Sequence, residues 1–214
     1  MDKISLHQTL PHVFRDRTDL NSDVWLKDIA FEKGKTYLVE AMSGTGKSSL
    51  CSYIIGYRND YSGKIEFDGE DISTFGVNKW TALRQTSLSH VFQELRLFPE
   101  LTAYENIQIK NNLTHFKEES QIKEWFERLG IMEKWNSKVG IMSFGQQQRV
   151  AMIRALVQPF DFILADEPIS HLDDNNSNIM CDIMLEEAKR QGAGVIITSI
   201  GKHVEINYDQ VLHL

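Results

Sequence analysis

The chain has 214 residues, of which 42% are hydrophobic and 25% are charged, a composition typical of one globular domain with a sizeable core. Its formal net charge of -7 argues against a broad surface for the phosphate backbone of nucleic acids. No apolar run approaches the ~18 to 20 residues that a membrane span needs, and "MDKISLHQTL" lacks the apolar centre of a signal peptide. We therefore expect a cytoplasmic protein that does not bind nucleic acid.

Five runs rich in β-branched and aromatic residues predict strands, because each is bounded by Gly, Asp or Ser. Two of them, residues 161–166 and 194–199, are continuous apolar runs and flank a helical stretch at residues 175–191. This order is typical of parallel strands that are covered on both faces, so the sequence predicts an α/β fold. The five runs are residues 36–41, 64–67, 88–92, 161–166 and 194–199.

Between residues 102 and 158 the pattern changes to that of helices. Within "QIKEWFERLG", residues 121–130, apolar side chains recur at i, i+3, i+4 and i+7, which is typical of one helix face, and Gly130 follows as a predicted helix end. A helical insert is therefore expected to interrupt the sheet. The apolar positions are Ile122, Trp125, Phe126 and Leu129.

The stretch "AMSGTGKSS", residues 41–49, follows a predicted strand and precedes a helix, which is the context that a phosphate-binding loop requires. Gly44 and Gly46 would let successive backbone N–H groups face one anion, and the helix would add its positive end. Lys47 would contact the outer phosphates, and the Ser48 hydroxyl would ligate Mg²⁺. The alternative is a Gly/Ser-rich turn with a purely structural role. At the position of Ala41 such loops more often have glycine. The predicted binding set is Ala41, Ser43, Gly44, Thr45, Gly46, Lys47, Ser48 and Ser49.

The stretch "FILADEPISHLD", residues 162–173, ends an apolar run on Asp166 and Glu167. Two adjacent ionised carboxylates repel each other, so we expect a cation nearby. Asp166 would hold Mg²⁺ through water, and the metal and Lys47 would offset its charge. Glu167 would then orient and deprotonate an attacking water. Alone, such a pair is more often a solvated strand end, but together with the phosphate loop it predicts a nucleotide-hydrolysing site.

The two cysteines, Cys51 and Cys181, lie far apart in the sequence and lack the spacing of metal ligands. This spacing argues against a disulfide framework. Two buried free thiols are the favoured interpretation.

Three further stretches narrow the family: "HVFQELRLFPELTAYENI", "MSFGQQQRVAMIRAL" and "SHLD". With the phosphate loop, and in this order, they resemble the ATPase subunit of ABC transporters over nearly the whole chain, in particular the lipoprotein-release, macrolide-exporter and cell-division group. The resemblance implies a P-loop NTPase with a RecA-like, mostly parallel sheet, an N-terminal antiparallel β portion and an inserted α-helical subdomain. The implied single domain has its core at about residues 1–93 and 159–214 and its helical subdomain at about residues 94–158.

The resemblance assigns roles residue by residue. Gln93 would contact Mg²⁺ and the attacking water at the hinge between the core and the helical subdomain. Ser143, Gly145 and Gln146 match the signature loop, which contacts the γ-phosphate of ATP bound to the other subunit through a helix N-terminus. Asp173 matches the loop that crosses the dimer interface. One active site would therefore need two chains.

Two further assignments have open alternatives. Phe14, in "LPHVF", is the candidate for stacking on adenine, although a lone Phe is also a common core residue. Residues 94–101 correspond to the segment that docks onto a membrane partner, but their apolar side chains could instead belong to the core. These side chains are Leu95, Leu97, Phe98 and Leu101.

Two positions depart from the family pattern. The signature normally has two glycines after its Ser, because the backbone must approach a phosphate closely or adopt a positive φ, and here the first is Phe144. The family also places a His after Thr198, where this chain has Ser199. A serine can donate a hydrogen bond to a γ-phosphate but cannot carry a positive charge. His203 could replace the missing imidazole, or it could be an exposed helix residue.

The leading hypothesis is an ABC-type ATPase that binds ATP and Mg²⁺ and forms a head-to-tail dimer with an identical copy or a paralogue. It would drive a separate integral membrane permease from the cytoplasmic face of the inner membrane. Its predicted catalytic residues are Glu167, Gln93 and Ser199, and its predicted metal ligands are Ser48, Gln93 and Asp166.

Two alternatives belong to other functional classes. The first is a nucleotide-gated switch with little turnover, which Phe144 and Ser199 favour. The second is a soluble cassette in DNA repair or translation, which the lack of a long coiled-coil insertion or a second cassette opposes. Kinases and GTPases fit less well, since the chain lacks a guanine-specifying Asn/Thr-Lys-x-Asp pattern. Nothing in the sequence encodes a transported substrate.

Overall fold

Two β-sheets and six α-helices organise the part of the chain that the computed structural model describes, residues 1–42, 44–201 and 206–214. Ser43 and His203, for which the sequence predicts or suggests a role, lie outside the described residues. The strands are β1 (Lys3–Pro11), β2 (Asp28–Glu32), β3 (Thr36–Glu40), β4 (Tyr61–Phe67), β5 (Glu70–Asp71), β6 (Leu88–Val91), β7 (Phe162–Asp166), β8 (Gly194–Ser199) and β9 (Gln210–His213). The helices are α1 (Lys47–Ile54), α2 (Val77–Thr86), α3 (Ala103–Asn111), α4 (Glu119–Arg128), α5 (Phe144–Leu156) and α6 (Asp174–Gln191).

The larger sheet has five parallel strands in the order β6-β7-β8-β3-β9. Every residue of β6, β7 and β8 is buried, as expected for strands covered on both faces. In parallel strands all carboxyl ends lie at one edge, so the residues that follow β3, β6, β7 and β8 come together there. The α/β class that the sequence predicts is confirmed.

The smaller sheet is antiparallel, with the order β2-β1-β4-β5. Strand β1 pairs with both β2 and β4 and contains a bulge between His7 and Leu10, where Gln8 has a φ of +48°. Gly63 of β4 lies against this bulge: a Cβ there would be 2.3 Å from the Gln8 carbonyl oxygen. The predicted N-terminal antiparallel portion is therefore present, and it requires glycine at position 63.

Apolar side chains form two clusters on opposite sides of the parallel sheet. One cluster joins the antiparallel sheet to α1 and includes Trp25 and Tyr53, and the other lies beneath α3, α4, α5 and α6. Cys51 lies in the first cluster and Cys181 in the second; both are buried and free, as the sequence predicts. No helix of the described residues combines the length and apolar character needed to cross a membrane.

Three helices, α3, α4 and α5, occupy the region in which the sequence predicts a helical insert. The predicted apolar face of α4 is buried, and Gly130 follows the helix with a φ of +62°. Helix α3 begins with a capping box between Thr102 and Glu105. The division of the chain into a core and a helical subdomain stays a prediction.

The segment at residues 94–101 divides between core and surface. Leu95 is buried and Leu97 packs on the core, whereas Phe98 is 53% exposed. Leu95 and Arg96 are consecutive residues with positive φ, +59° and +48°. The Arg154 guanidinium of α5 donates hydrogen bonds to the carbonyl oxygens of both, at 2.5 and 2.6 Å, and fixes this turn.

A buried ion pair fastens the chain before α4 to helix α6. The Lys117 ammonium lies 2.7 Å from Glu187 Oε1, and both side chains are almost fully buried. The Asn111 side chain accepts from the Lys117 backbone N–H and donates to the Lys117 carbonyl, which holds the lysine in place. The Arg190 guanidinium pairs with the other oxygen of Glu187, so one buried carboxylate offsets two positive groups.

We predict that Glu187→Gln lowers the free energy of unfolding by roughly 3 to 5 kcal/mol, because Lys117, whose pKa burial already lowers to about 7, and Arg190 both lose their counter-charge. Urea denaturation measures this. The matched control is Glu186→Gln, which breaks a pair with Arg128 at a glutamate that is 60% exposed. We expect a change of about 1 kcal/mol or less there. Equal losses of unfolding free energy in the two variants would show that burial does not make the Lys117–Glu187 pair more important for stability than the exposed pair.

Candidate functional site

A pocket of about 380 Å³ opens at the carboxyl edge of the parallel sheet. It brings together the glycines and the Lys-Ser-Ser end of the predicted phosphate loop with Gln93 and Glu167, which are distant in sequence. The sequence therefore predicts much of the pocket wall. The lining residues are Val13, Phe14, Arg17, Gly44, Gly46, Lys47, Ser48, Ser49, Gln93, Glu167 and Ile200.

The phosphate loop curls because its glycines adopt left-handed conformations. Gly44 and Gly46 have φ values of +83° and +103°, and α1 begins immediately after Gly46. A Cβ at Gly46 would lie 3.0 Å from the rings of Phe14 and Trp25, so only glycine fits there without displacement. The Trp25 indole N–H donates to the Thr45 carbonyl at 3.0 Å. Trp25 therefore supports the loop, a role that no sequence motif indicated.

Lys47 is the cation that lies beside the acidic pair. Its buried ammonium lies 3.6 Å from Glu167 Oε1 and donates to the Met42 carbonyl at 3.2 Å. Glu167 has a φ of +49°, and its backbone N–H donates to the Thr198 carbonyl at 3.2 Å. The lysine thus contacts the second carboxylate of the pair, whereas the sequence predicts it beside the first.

Asp166 is buried at the end of β7 and is held from the neighbouring strand. Its Oδ1 accepts a hydrogen bond from the Thr198 hydroxyl at 2.6 Å, across a register that pairs these two residues. The sequence does not indicate a role for Thr198, because a contact between strands separated by a helix leaves no local sequence signal.

Ser48 and Gln93 meet in the pocket, where the Ser48 hydroxyl donates to Gln93 Oε1 at 3.4 Å. A hydroxyl and an amide oxygen, with the Asp166 carboxylate, are the oxygen donors that Mg²⁺ prefers. The side chains present therefore fit the predicted ion in chemical type.

The predicted signature residues lie outside the set that lines this pocket. Ser143 caps α5: its Oγ accepts from the Gln146 N–H at 3.3 Å, and the Gln146 side chain accepts from the Ser143 N–H at 3.0 Å. A Cβ at Gly145 would lie 3.1 Å from the Leu172 side chain, so α5 packs closely on the loop after the acidic pair. Phe144 is 43% exposed.

Phe144 contacts the segment "SHLD" on its own chain. Its ring stands edge-to-face on His171 with centroids 4.6 Å apart. Asp173, in the same segment, caps α6 by accepting from the Asn176 N–H at 2.9 Å, and this bond lowers the pKa of Asp173. The signature and this segment therefore form one surface.

The structure also describes three further residues of the predicted site, Phe14, Ser199 and Ala41. Phe14 lines the pocket but is 5% exposed and belongs to the core, with the Arg17 guanidinium 4.7 Å above its ring. Ser199 is buried at the end of β8, and its carbonyl accepts from the Ala41 N–H at 3.1 Å. Ala41 is thereby tied to the strand end, and the adenine-stacking role of Phe14 stays a prediction.

Comparison with known proteins agrees with this geometry. A family profile described as "ABC transporter" matches residues 27–170. The lipoprotein-releasing system ATP-binding protein LolD of Buchnera aphidicola is 33% identical, over 80% of this chain and 76% of that protein. The uncharacterized ABC transporter ATP-binding protein YclH of Bacillus subtilis is 35% identical, over 84% and 82%. The macrolide export protein MacB of Aggregatibacter actinomycetemcomitans is 29% identical over 88% of this chain but only 30% of that longer protein.

Solved structures share the fold. The dimeric bacterial ABC transporter cassette MJ0796 superposes with a TM-score of 0.76 and 23% identity, over 92% of this chain and 87% of that one. A putative ABC transporter ATP-binding protein from Pyrococcus furiosus gives a TM-score of 0.77 and 19% identity, over 99% and 97%. The chain belongs to the ABC transporter family and is an ABC-type ATPase cassette.

Proposed function

We propose that the chain binds MgATP and hydrolyses it as one subunit of a head-to-tail dimer that drives a separate membrane permease. The observation that carries this proposal is the meeting of Lys47, Ser48, Gln93 and Glu167 in one pocket at the edge of the parallel sheet. Cationic, hydroxyl, amide and carboxylate groups are the set that phosphoryl transfer to water needs.

Each group has one task in this mechanism. The backbone N–H groups of the curled loop and the start of α1 bind phosphate oxygens. Lys47 exchanges its contacts with Met42 and Glu167 for the outer phosphates, which releases the Glu167 carboxylate to accept a proton from the attacking water. Ser48, Gln93 and Asp166 would hold Mg²⁺, and the ion would offset the negative charge of the phosphates.

The second subunit completes the site. Ser143, Gly145, Gln146 and Asp173 lie outside the pocket wall of their own chain, in keeping with a role toward a nucleotide on a partner. The cassette MJ0796 is described as dimeric. The second subunit of this dimer would be an identical copy of the chain or a paralogue.

The membrane partner and the location rest on the relatives. LolD is named as part of a lipoprotein-releasing system, and MacB as an export ATP-binding and permease protein. By analogy this chain acts at the cytoplasmic face of the inner membrane, with residues 94–101 as the docking segment. The exposed side chain of Phe98 supports docking, whereas buried Leu95 serves the core. Substrate choice then belongs to the permease.

A nucleotide-gated switch with little turnover is the second candidate. Phe144 supports it because this aromatic stands at the start of α5, where a phosphate on a partner would approach. The buried Ser199 supports it because a hydroxyl supplies only a neutral hydrogen bond.

Lys47→Ala should weaken MgATP binding by about 10- to 100-fold or more, because a charge-assisted contact to phosphate is lost in a buried setting. Isothermal titration calorimetry measures the affinity. Lys35→Ala is the control, since it removes the same charge from an exposed lysine that pairs with Glu32. Unchanged MgATP affinity in Lys47→Ala would contradict the phosphate-loop assignment.

Glu167→Gln should lower the rate of ATP hydrolysis by about 10²- to 10⁴-fold, because the amide keeps the shape of the side chain but cannot accept the proton. ATP should still bind, and an ATP-bound dimer should persist longer in size-exclusion chromatography with MgATP. Glu70→Gln, at an exposed glutamate of β5 that pairs with Lys79, is the control and should leave the rate unchanged. Wild-type turnover in Glu167→Gln would remove this residue from the mechanism.

The isolated chain should hydrolyse ATP slowly, because Phe144 and Ser199 each cost about two orders of magnitude in rate. The double change Phe144→Gly with Ser199→His should raise kcat more than either single change, since both act on the same phosphate. Phe144→Leu, which keeps the bulk, is the control and should gain nothing. Thermal melts confirm folding. Ordinary turnover of the wild type with no gain in the double variant would show that the sites are intact.

A further inference from the structure

Both ring nitrogens of His90 lack a hydrogen-bond partner within the described residues, although the side chain is buried. His90 lies on β6, and its ring packs on Phe92 with centroids 4.1 Å apart. An unpaired buried polar group costs roughly 1 to 3 kcal/mol. A histidine in this position therefore calls for an occupant that its nitrogens can bind.

Two other donor groups lie beside this ring. Cys51 Sγ and an Asp166 carboxylate oxygen are within 4.8 Å of a His90 nitrogen and of each other, and all three residues are buried. They come from three elements: Cys51 from α1, one turn after Lys47, His90 from β6, and Asp166 from the end of β7. Because β6 and β7 are neighbours, the cluster is built into the sheet.

We propose that Cys51, His90 and Asp166 form a buried site for a divalent transition-metal ion of the zinc class. Thiolate and imidazole are the ligands that Zn²⁺ prefers over Mg²⁺, and three protein ligands with an open fourth position is a common zinc arrangement. The Cys51 thiol gives up its proton to solvent as the sulfur–metal bond forms, and neither oxidant nor reductant is required.

The geometry needs only small adjustments. Tetrahedral coordination at ordinary zinc distances places ligand atoms roughly 3.3 to 3.8 Å apart. Because the three donor atoms all lie within 4.8 Å of one another, no separation needs to close by more than about 1.5 Å. The Thr198 hydroxyl already holds Asp166 Oδ1 and so fixes the orientation of the carboxylate beside the metal.

This site differs from the proposed Mg²⁺ site, although Asp166 belongs to both. Ser48 and Gln93 line the pocket, whereas Cys51, His90 and Asp166 are not among the residues that line it. The shared Asp166 couples the two sites, so the zinc-class site is tested in the absence of nucleotide and Mg²⁺.

The test is a titration of the full chain with Co²⁺, under a reductant that does not bind metals and without nucleotide. Cobalt reports thiolate ligation directly, through a sulfur-to-metal charge-transfer band in the near ultraviolet. We expect one Co²⁺ per chain with this band, and its displacement by Zn²⁺. Zinc should also raise the melting temperature, because a ligand of the native state stabilises it.

Three variants assign the ligands. Cys51→Ser and His90→Phe should each weaken Zn²⁺ binding by at least about 100-fold, since loss of a group that only hydrogen-bonds to a ligand already costs about 10- to 100-fold. Cys181→Ser is the matched control, because Cys181 is also buried but lies on α6 outside the cluster, and it should keep the band.

Absence of the charge-transfer band in the wild type would overturn the proposal and leave a buried water as the partner of His90. Retention of the band in Cys51→Ser, or its loss in Cys181→Ser, would overturn it equally. Circular dichroism confirms that each variant folds. Because the wild-type titration decides by itself, a misfolded variant does not protect the proposal.

Discussion

The buried contact between Lys47 and Glu167 is the interaction on which the rest of the site depends. A desolvated ammonium is tolerated only beside a negative charge, and a carboxylate at the end of an apolar strand gains from a nearby positive charge. The two residues lie 120 positions apart, so their approach to 3.6 Å fixes the loop before α1 against the end of β7. The positive φ of Glu167 shows that the backbone bends to allow it.

The parallel sheet makes this contact possible. Its strand order places β7 between β6 and β8, so the residues after each carboxyl end share one edge. The same register sets Thr198 against Asp166 and ties Ala41 to Ser199. Helix α1 then presents Lys47 and Ser48 to the pocket and Cys51 to the sheet, one helical turn below. Helix α1 therefore contributes side chains both to the pocket and to the buried cluster of Cys51, His90 and Asp166.

Local patterns in the sequence predict β3, β4, β6, β7 and β8, the apolar face of α4, the phosphate loop and the acidic pair, because each is encoded within a short window. Strands β1, β2, β5 and β9 are not among the five predicted runs. Interactions between elements are not encoded in this way. The indole of Trp25 donates to the Thr45 carbonyl, and Cys51 of α1 lies close to His90 of β6. Neither contact has a sequence spacing that marks it. Phe14 combines the two alternatives that the sequence leaves open, since its side chain is buried with the core and also lines the pocket, and its adenine-stacking role stays a prediction.

The turn at Leu95 and Arg96 has a mechanical consequence. Two successive side-chain-bearing residues in the left-handed region store roughly 2 to 4 kcal/mol of conformational energy, and the guanidinium of Arg154 holds them there through two carbonyls. This turn lies between Gln93 in the pocket and the exposed Phe98. A displacement of α5 that withdrew Arg154 would remove both of these hydrogen bonds and leave two strained residues free to relax, in the short stretch of backbone that joins the pocket to the outer surface.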